Sequence, residues 1–195
     1  LPERCLNGKG VVIKESGPSL INLSSDSKSC NLTTYQLTLG TDGSLTGTMI
    51  PKETGYFGIE EKKKYDKATD EEAYFKDLEN EHNGLIINGH SIISDSTKID
   101  NFVCSLDIDA SELVTIFGDI ITIPVLLFDQ LSDNPFKLEE RKYPVNFTFP
   151  KEISTIININ IPEGYIIEEL PESKAIGMPD NTGKYIFNAN RMNNT

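Results

Sequence analysis

Cysteine and histidine are the residues of this chain best suited to nucleophilic catalysis. A cysteine thiolate beside an imidazole base can attack a carbonyl carbon. Cys104 falls on the apolar side of an alternating segment, where cysteine usually behaves as a small hydrophobic residue. Cys5 and Cys30 lie in loop-like segments without a sequence-adjacent base. His82 lies at the end of a predicted helix, and His90 follows a predicted Asn-Gly turn. We therefore predict no catalytic residues and no enzymatic activity in this chain.

Carboxylates are the second group of residues that could do chemistry, because they are the preferred ligands of hard cations such as calcium. The best-placed acids are Asp107, Asp109, Glu112 and Asp119. Asp107 and Asp109 share one face of a predicted strand, but no glycine-bearing ligand loop accompanies them. This spacing favours a solvated outer face. We predict no metal site and no cofactor.

The residue types give little support for a sugar-binding or a phosphate-binding site. The chain has no tryptophan, the best side chain for stacking on a sugar ring. Residues 8–10 (GKG) lack the Gly-Lys-Ser/Thr ending and the strand–helix context of a phosphate loop. Lysines 62–64 lie among acidic residues, as is typical of a solvated helix face. The missing tryptophan weakens glycan binding without removing it.

The charge balance and the hydropathy exclude two partner classes. Thirty acidic against eighteen basic residues give a net charge of -12, which would repel nucleic acid. No run of about 18 apolar residues occurs, so we predict no membrane span. At 37% hydrophobic and 25% charged residues, the 195-residue chain is long and apolar enough to bury a core. Its three cysteines leave at least one thiol free or paired outside the chain.

Residues 32–50 have the alternating pattern of a β-hairpin. A three-residue loop over residues 41–43, with Gly43 in a left-handed conformation, pairs Leu39 with Leu45 and Tyr35 with Met49. A two-residue turn would instead mix apolar and polar faces, so the alternation favours the three-residue loop.

Residues 55–82 break the strand pattern and predict two short helices, near 56–66 and 70–81. Thr69 and Glu72 match a capping box at the start of the second helix. Glu60 and Lys64 are spaced for an ion pair on the first helix.

Short strands with turns about every ten residues make up the rest of the chain. They include residues 85–87, 90–93, 102–109, 113–117, 120–128, 145–149, 153–161, 166–170 and 184–187. This pattern predicts a mainly β fold, with one or more antiparallel β-sandwiches and a short two-helix insertion. Residues 11–13 and 20–23 could be short strands within an otherwise linker-like segment.

Two pairs of stretches carry a family resemblance. One pair is residues 134–137 (NPFK) with 140–147 (ERKYPVNF), and the other is 161–165 (IPEGY) with 168–171 (EELP). They resemble the C-terminal β-rich domain of unknown function of exported bacterial transglutaminase-like proteins. The opening residues 1–8 (LPERCLNG) are similar to the segment just after the papain-like transglutaminase domain.

The resemblance implies a domain organisation. Residues 1–30 would be a linker or the tail of an upstream domain. Residues 31–133 would form a β-sandwich domain with helices near 56–81, and residues 134–195 a second, incomplete β-sandwich unit. The chain, which begins without a methionine, looks cut from a longer protein. The family's catalytic residues would lie upstream of Leu1, and no position here matches their motifs.

The resemblance also implies a role, a partner and a compartment. The chain would be a non-catalytic module accessory to the upstream transglutaminase-like domain of the same parent chain, exported to the periplasm or cell envelope of a Gram-negative bacterium. Stiff proline-containing segments suggest domain-junction residues. These candidates are Asn134, Pro135, Phe136, Glu140, Arg141, Tyr143 and Pro144. The alternative hypothesis is a cell-envelope module that binds a glycan or peptide.

Overall fold

The computed structural model describes residues 2–25, 27–94, 97–130, 140 and 147–192. The chain divides into two compact units, Leu1–Asn160 and Ile161–Thr195. In the part of the chain that the structure describes, no helix is long and apolar enough to cross a membrane.

The described residues of the first unit form strands and two α-helices. The strands are β1 (Gly8–Lys14), β2 (Gly17–Leu23), β3 (Ser29–Leu39), β4 (Leu45–Thr54), β5 (Ile86–Ile92), β6 (Asn101–Asp109), β7 (Thr115–Phe117), β8 (Ile120–Thr122) and β9 (Lys151–Asn160). The helices are α1 (Tyr56–Lys67) and α2 (Glu71–Glu81). The second unit contains β10 (Lys174–Gly177) and β11 (Lys184–Phe187). The predicted mainly β fold with a two-helix insertion is confirmed.

The central element of the first unit is a five-stranded sheet with the order β5-β6-β4-β3-β9. Its neighbouring strands are antiparallel, except that β9 runs parallel to β3. Two further sheets, β1-β2 and β7-β8, are two-stranded antiparallel hairpins.

The β3–β4 hairpin has the predicted register. Leu39 pairs with Leu45 and Tyr35 pairs with Met49. Gly43 has a φ of 85°, so the predicted left-handed residue of the loop is confirmed. The Gly40 amide donates to the Ser44 carbonyl at 2.7 Å and closes the three-residue loop. The segregation of apolar and polar faces therefore selected the correct pairing.

One face of the central sheet is the core of the unit. Alternate residues of β3, β4 and β6 are buried there: Tyr35, Leu37, Leu39, Leu45, Met49, Phe102, Cys104, Leu106 and Ile108. The helices cover this face through aromatic side chains. Tyr74 lies 5.7 Å from Phe102 between ring centroids, and Phe75 stacks on His90 at 4.0 Å. Two helices thus lie where a sandwich would place a second sheet, and their aromatic side chains pack on the apolar face.

The start of α2 differs from the prediction. Asp70, not Thr69, is the N-cap residue, and its carboxylate accepts a hydrogen bond from the Ala73 amide at 2.8 Å. The helix begins at Glu71, one residue too late for a Thr69 capping box. On α1, Lys64 pairs with Glu61 at 3.1 Å rather than with Glu60.

In the first unit, one strand prediction and one turn prediction need correction. The strand predicted over residues 120–128 ends at Thr122, and residues 125–128 form a turn after Pro124. Proline cannot donate a ladder hydrogen bond, and Leu127 has a φ of 47°. The turn predicted at residues 88–89 instead lies inside β5, where the register shifts between Ile87 and Gly89 as in a β-bulge.

In the second unit, β10 and β11 form an antiparallel pair. The predicted strand over residues 184–187 is confirmed as β11, whereas residues 166–170, predicted as a strand, have no regular secondary structure. In the first unit, residues 1–30 contain both strands of the β1–β2 hairpin and the first residues of β3. The predicted boundary between residues 133 and 134 lies outside the described residues.

Candidate interaction surface and acidic cavity

The cysteines and histidines occupy separate environments. Cys104 is 1% exposed on the core face, and burial raises the pKa of its thiol to about 12. The His82 ring nitrogen Nδ1 lies 2.9 Å from the Leu78 carbonyl oxygen at the end of α2. His90 stacks on Phe75, and its ring nitrogens contact carboxylates of the first turn of α2. Cys5 and Cys30 are both half-buried and not disulfide-bonded. The buried Cys104 thiol stays protonated at neutral pH and is therefore a poor nucleophile.

The acidic residues considered as calcium ligands lie in different elements of the fold. Asp109 Oδ1 accepts hydrogen bonds from the Ser111 amide and hydroxyl, at 2.8 and 2.5 Å. Asp107 lies exposed on β6, on the sheet face opposite the helices. Glu112 lies in a short 3-10 helix, and Asp119 lies in the β7–β8 turn. Among residues 2–25, 27–94, 97–130, 140 and 147–192, no three His, Cys, Asp or Glu side chains cluster as a metal site.

The predicted domain-junction residues are, with one exception, outside the described residues. Those outside are Asn134, Pro135, Phe136, Arg141, Tyr143 and Pro144. Glu140 is described, and it is an exposed residue in a bend.

The β1–β2 hairpin presents an apolar surface. Val11 pairs with Leu20 and Ile13 pairs with Pro18, so these four side chains share one side of the two-stranded sheet. Val11, Ile13 and Leu20 are 63%, 85% and 68% exposed. We call these four residues the hairpin face. A two-stranded hairpin is marginally stable by itself in water and needs an apolar partner on one side.

The open face of the central sheet carries a groove of about 290 Å³. It is lined by Cys30, Asn31, Leu32, Lys52, Thr54, Glu152 and Ser154. Leu32 lies at its centre, paired with Lys52 on one side and Ser154 on the other. Among the described lining residues there is no aromatic ring on which a sugar could stack.

A second cavity, of about 150 Å³, lies between the core face of the sheet and the helices. We call it the acidic cavity. Its carboxyl groups come from Glu53 of β4, Glu61 of α1, Glu81 of α2 and Asp129. Its apolar wall includes Met49, Leu78, Tyr74 and Phe102. Most of these side chains come from elements adjacent in the sheet or packed on it, so the tertiary fold assembles the cavity.

Hydrogen bonds hold most of the acidic side chains in place. The Asn31 amide donates to Glu53 Oε1 at 2.9 Å. The Tyr74 hydroxyl donates to Glu61 Oε1 at 2.7 Å, and Lys64 pairs with Glu61 at 3.1 Å. The Thr155 hydroxyl of β9 donates to an Asp129 oxygen at 3.1 Å.

The electrostatics of the acidic cavity are set by burial. Burial, reinforced by the charge of Glu61, raises the pKa of Glu53 to about 8, so this carboxyl is protonated at neutral pH. Burial also raises the pKa of Asp129, while the hydroxyls of Thr155 and Tyr35 lower it in part. The Tyr35 side chain is fully buried, and burial and then the Asp129 charge raise its pKa.

Sequence reasoning missed this cavity, although one signal was present. The alternation of β4 places Glu53 on the same face as Leu45, Met49 and Pro51. Glu53 is therefore an acidic residue at a position whose pattern predicts an apolar side chain. The sequence contains no such signal for Asp129, which lies in an irregular segment.

Comparison with known proteins returns one family. A family described as a domain of unknown function with a solved structure, DUF3858, matches residues 119–195. The matched segment is less than half of the chain, and it includes the stretches between residues 134 and 171 that carry the family resemblance. No curated protein and no solved structure matches the chain. Over residues 119–195, the chain is thus similar to a domain to which no function is assigned.

Proposed function

We propose that this chain is a non-catalytic β-rich module that packs against a transglutaminase-like domain of the same parent polypeptide, in an exported bacterial protein of the periplasm or cell envelope. The observation that carries the proposal is the exposed hairpin face. A module that docks on a neighbouring domain needs an apolar surface for the contact, and large exposed apolar patches mark such sites.

The size of the hairpin face suits a contact within one polypeptide. Full burial of a Val, Leu or Ile side chain stabilises by about 1.5–3 kcal/mol. At the observed exposures of Val11, Ile13 and Leu20, covering all three contributes about 3–6 kcal/mol. That gain is modest for two free molecules, but it suffices when a linker already holds the two domains together.

Two sequence features support the identity of the partner. Residues 1–8 resemble the segment that follows the papain-like transglutaminase domain, and the hairpin begins at residue 8. Residues 119–195 match a domain of unknown function, the class of domain that the resemblance implies for the C-terminal region.

Hydrogen exchange in the parent polypeptide tests the proposal. Amide exchange of residues 8–23 is compared between this chain alone and the full parent protein. We expect slower exchange in the parent, restored to the rate of the isolated chain by Ile13→Asp. Ser16→Asp, in the exposed turn of the same hairpin, is the matched control and should keep the protection. Equal exchange rates in the isolated chain and the parent protein would refute the packing role.

The second candidate is a cell-envelope module that binds an extended peptide in the groove around Leu32. The groove favours a peptide over a glycan, because its described lining offers polar and aliphatic groups but no aromatic platform. Screening a peptide library and a glycan array separates the two ligand classes. Lack of binding to both would reject this candidate, whereas peptide binding that Leu32→Asp abolishes would support it.

A further inference from the structure

The two outer strands of the central sheet differ in how their edges are protected. In β5, the Ile87 amide donates to Glu79 Oε1 of α2 at 2.7 Å, and the register shift between Ile87 and Gly89 interrupts the edge. His90 of the same strand stacks on Phe75 of α2. Bulges and covering helices are common ways in which proteins stop an edge strand from pairing with another chain. The β5 edge is therefore protected.

The opposite edge of the sheet is formed by β9, and within the described chain it has none of these features. β9 pairs with β3 in an unbroken register, and on its other side the backbone has no hydrogen-bonded partner among the described residues. Residues 153–160 contain no charged residue, proline or glycine. An extended edge of this kind is a template for a further strand. We call the outward side of residues 151–160 the β9 edge.

Beyond its first two residues, β9 exposes isoleucines where an edge strand usually has charged side chains. Ile153 is 71% exposed and Ile156 is 49% exposed. Ile153 pairs with Asn31 and points to the core face, whereas Ile156 pairs with Thr34 and points to the open face. A further strand at the β9 edge would therefore cover apolar surface on both faces of the sheet.

The charges of β9 favour a second copy of the same strand in one direction only. Its charged residues are Lys151 and Glu152, both at the start of the strand. A parallel copy in register would place like charges side by side, which destabilises a strand pair. An antiparallel copy places them at opposite ends of the pairing, about 25 Å apart at about 3.3 Å per residue. The strand is thus complementary to itself in the antiparallel direction.

We propose that two copies of this chain associate through their β9 edges, with the two strands antiparallel and Ile156 of each copy at the two-fold axis. The central sheet then continues from one copy into the other, with the helix-covered faces on the same side. Directly opposite residues share a face in an antiparallel pair. In this register Ile153 lies opposite Ile159 of the other copy, and Glu152 lies opposite Asn160, so both exposed isoleucines meet an isoleucine. This association is independent of the proposed domain packing, because the β9 edge and the hairpin face share no residues.

The proposed contact is a small one. Pairing of residues 152–160 forms about eight to ten backbone hydrogen bonds, close to the number in an ordinary protein–protein interface. The area of a single strand edge is below that of a standard interface, which is typical of weak complexes. We therefore expect a dimer with a dissociation constant of about 10–100 µM.

Sedimentation equilibrium of the full chain, over concentrations from about 5 to 500 µM, tests the proposal. Ile156→Lys should raise the dissociation constant at least tenfold, because it places two like charges opposite each other at the axis. Ile86→Lys is the matched control, since Ile86 is 51% exposed on the protected β5 edge, and it should change the constant less than twofold. Ile13→Asp in the hairpin face should also leave the dimer intact. A monomer at every concentration, equal effects of the two lysine variants, or dissociation by Ile13→Asp would each overturn the proposal.

Cysteine cross-linking tests the register and does not depend on the lysine variant folding. Cys5→Ser and Cys30→Ser first remove the two half-buried thiols. In that background, Ile156→Cys should give a disulfide-linked dimer under oxidation by diamide, because directly opposite Cα atoms lie about 4.5–5.5 Å apart. Ser154→Cys, on the same face, lies about 13 Å from its own copy and should not cross-link. Equal cross-linking of the two variants, or none in either, would refute the antiparallel β9 pairing.

Discussion

Replacing Glu53 by glutamine should stabilise this protein at alkaline pH and leave its stability nearly unchanged in acid. Burial raises the pKa of Glu53 from an ordinary 4.5 to about 8 in the folded state. Below about pH 4.5 the carboxyl is neutral in both the folded and the unfolded chain, so it has no effect on the pH dependence. Between about pH 4.5 and 8 the unfolded chain loses the proton and the folded chain keeps it, so the free energy of unfolding falls as pH rises.

The magnitude follows from the same pKa. A rise of about 3.5 at about 1.36 kcal/mol for each pH unit gives a loss of about 5 kcal/mol by pH 8 and above. Glutamine has nearly the shape of the protonated carboxyl, and its carbonyl oxygen can still accept from the Asn31 amide. The difference in free energy of unfolding between the variant and the wild type should thus grow from about 1 kcal/mol or less at about pH 5 to several kcal/mol at about pH 9.

Urea unfolding followed by circular dichroism at about pH 5, 7 and 9 measures this difference. Changes common to both proteins, such as self-repulsion at a net charge of -12, cancel in the comparison. Asp107→Asn, which removes an exposed carboxylate from the opposite face of the sheet, is the matched control. A difference between Glu53→Gln and wild type that stays within about 0.5 kcal/mol from pH 5 to pH 9 would show that Glu53 does not ionise at a cost, and the reasoning would be wrong.

The remaining predictions concern a thiol and a helix start. Cys104 should react with a thiol reagent such as Ellman's reagent only after unfolding, since its side chain is 1% exposed and burial raises the pKa of its thiol to about 12. Cys5 and Cys30, which are half-buried, should react in the folded protein. Equal reaction rates of all three thiols in the native state would contradict this prediction. Asp70→Ala should lower the free energy of unfolding by about 0.5–2 kcal/mol, and Thr69→Ala by clearly less, because Asp70 accepts the capping hydrogen bond. Equal losses for the two variants in urea unfolding would mean that Thr69 contributes to the cap as much as Asp70 does.

Local patterns predicted the elements whose partners lie nearby in sequence. The β3–β4 register follows from the alternation of apolar residues and a glycine at one loop position, and both were visible in the sequence. The two helices followed from the break in alternation and appear close to the predicted bounds. The cap of α2 was misplaced by one residue, because Thr69 and Asp70 can both cap and only the backbone path decides between them.

Long-range pairing was beyond these patterns. β9 lies parallel to β3, and Ser29 pairs with Lys151 across more than a hundred residues. Alternation predicts that β9 is a strand with two different faces. It does not predict which strand pairs with β9, or whether the two strands run parallel or antiparallel. The same holds for the covering of the core face, where aromatic side chains of α1 and α2 replace a second sheet.

The fold and the candidate sites can likewise be divided into features that the sequence determines and features that only the tertiary structure decides. The sequence alone determined the mainly β fold, the helical insertion, the hairpin register and the core position of Cys104, because each depends on periodicity over a few residues. Only the tertiary structure decided that Glu53 and Asp129 line one cavity, and that Val11, Ile13 and Leu20 remain exposed. The physical reason is that burial, and with it the pKa of a carboxyl or the exposure of an apolar side chain, depends on which distant elements pack over a residue.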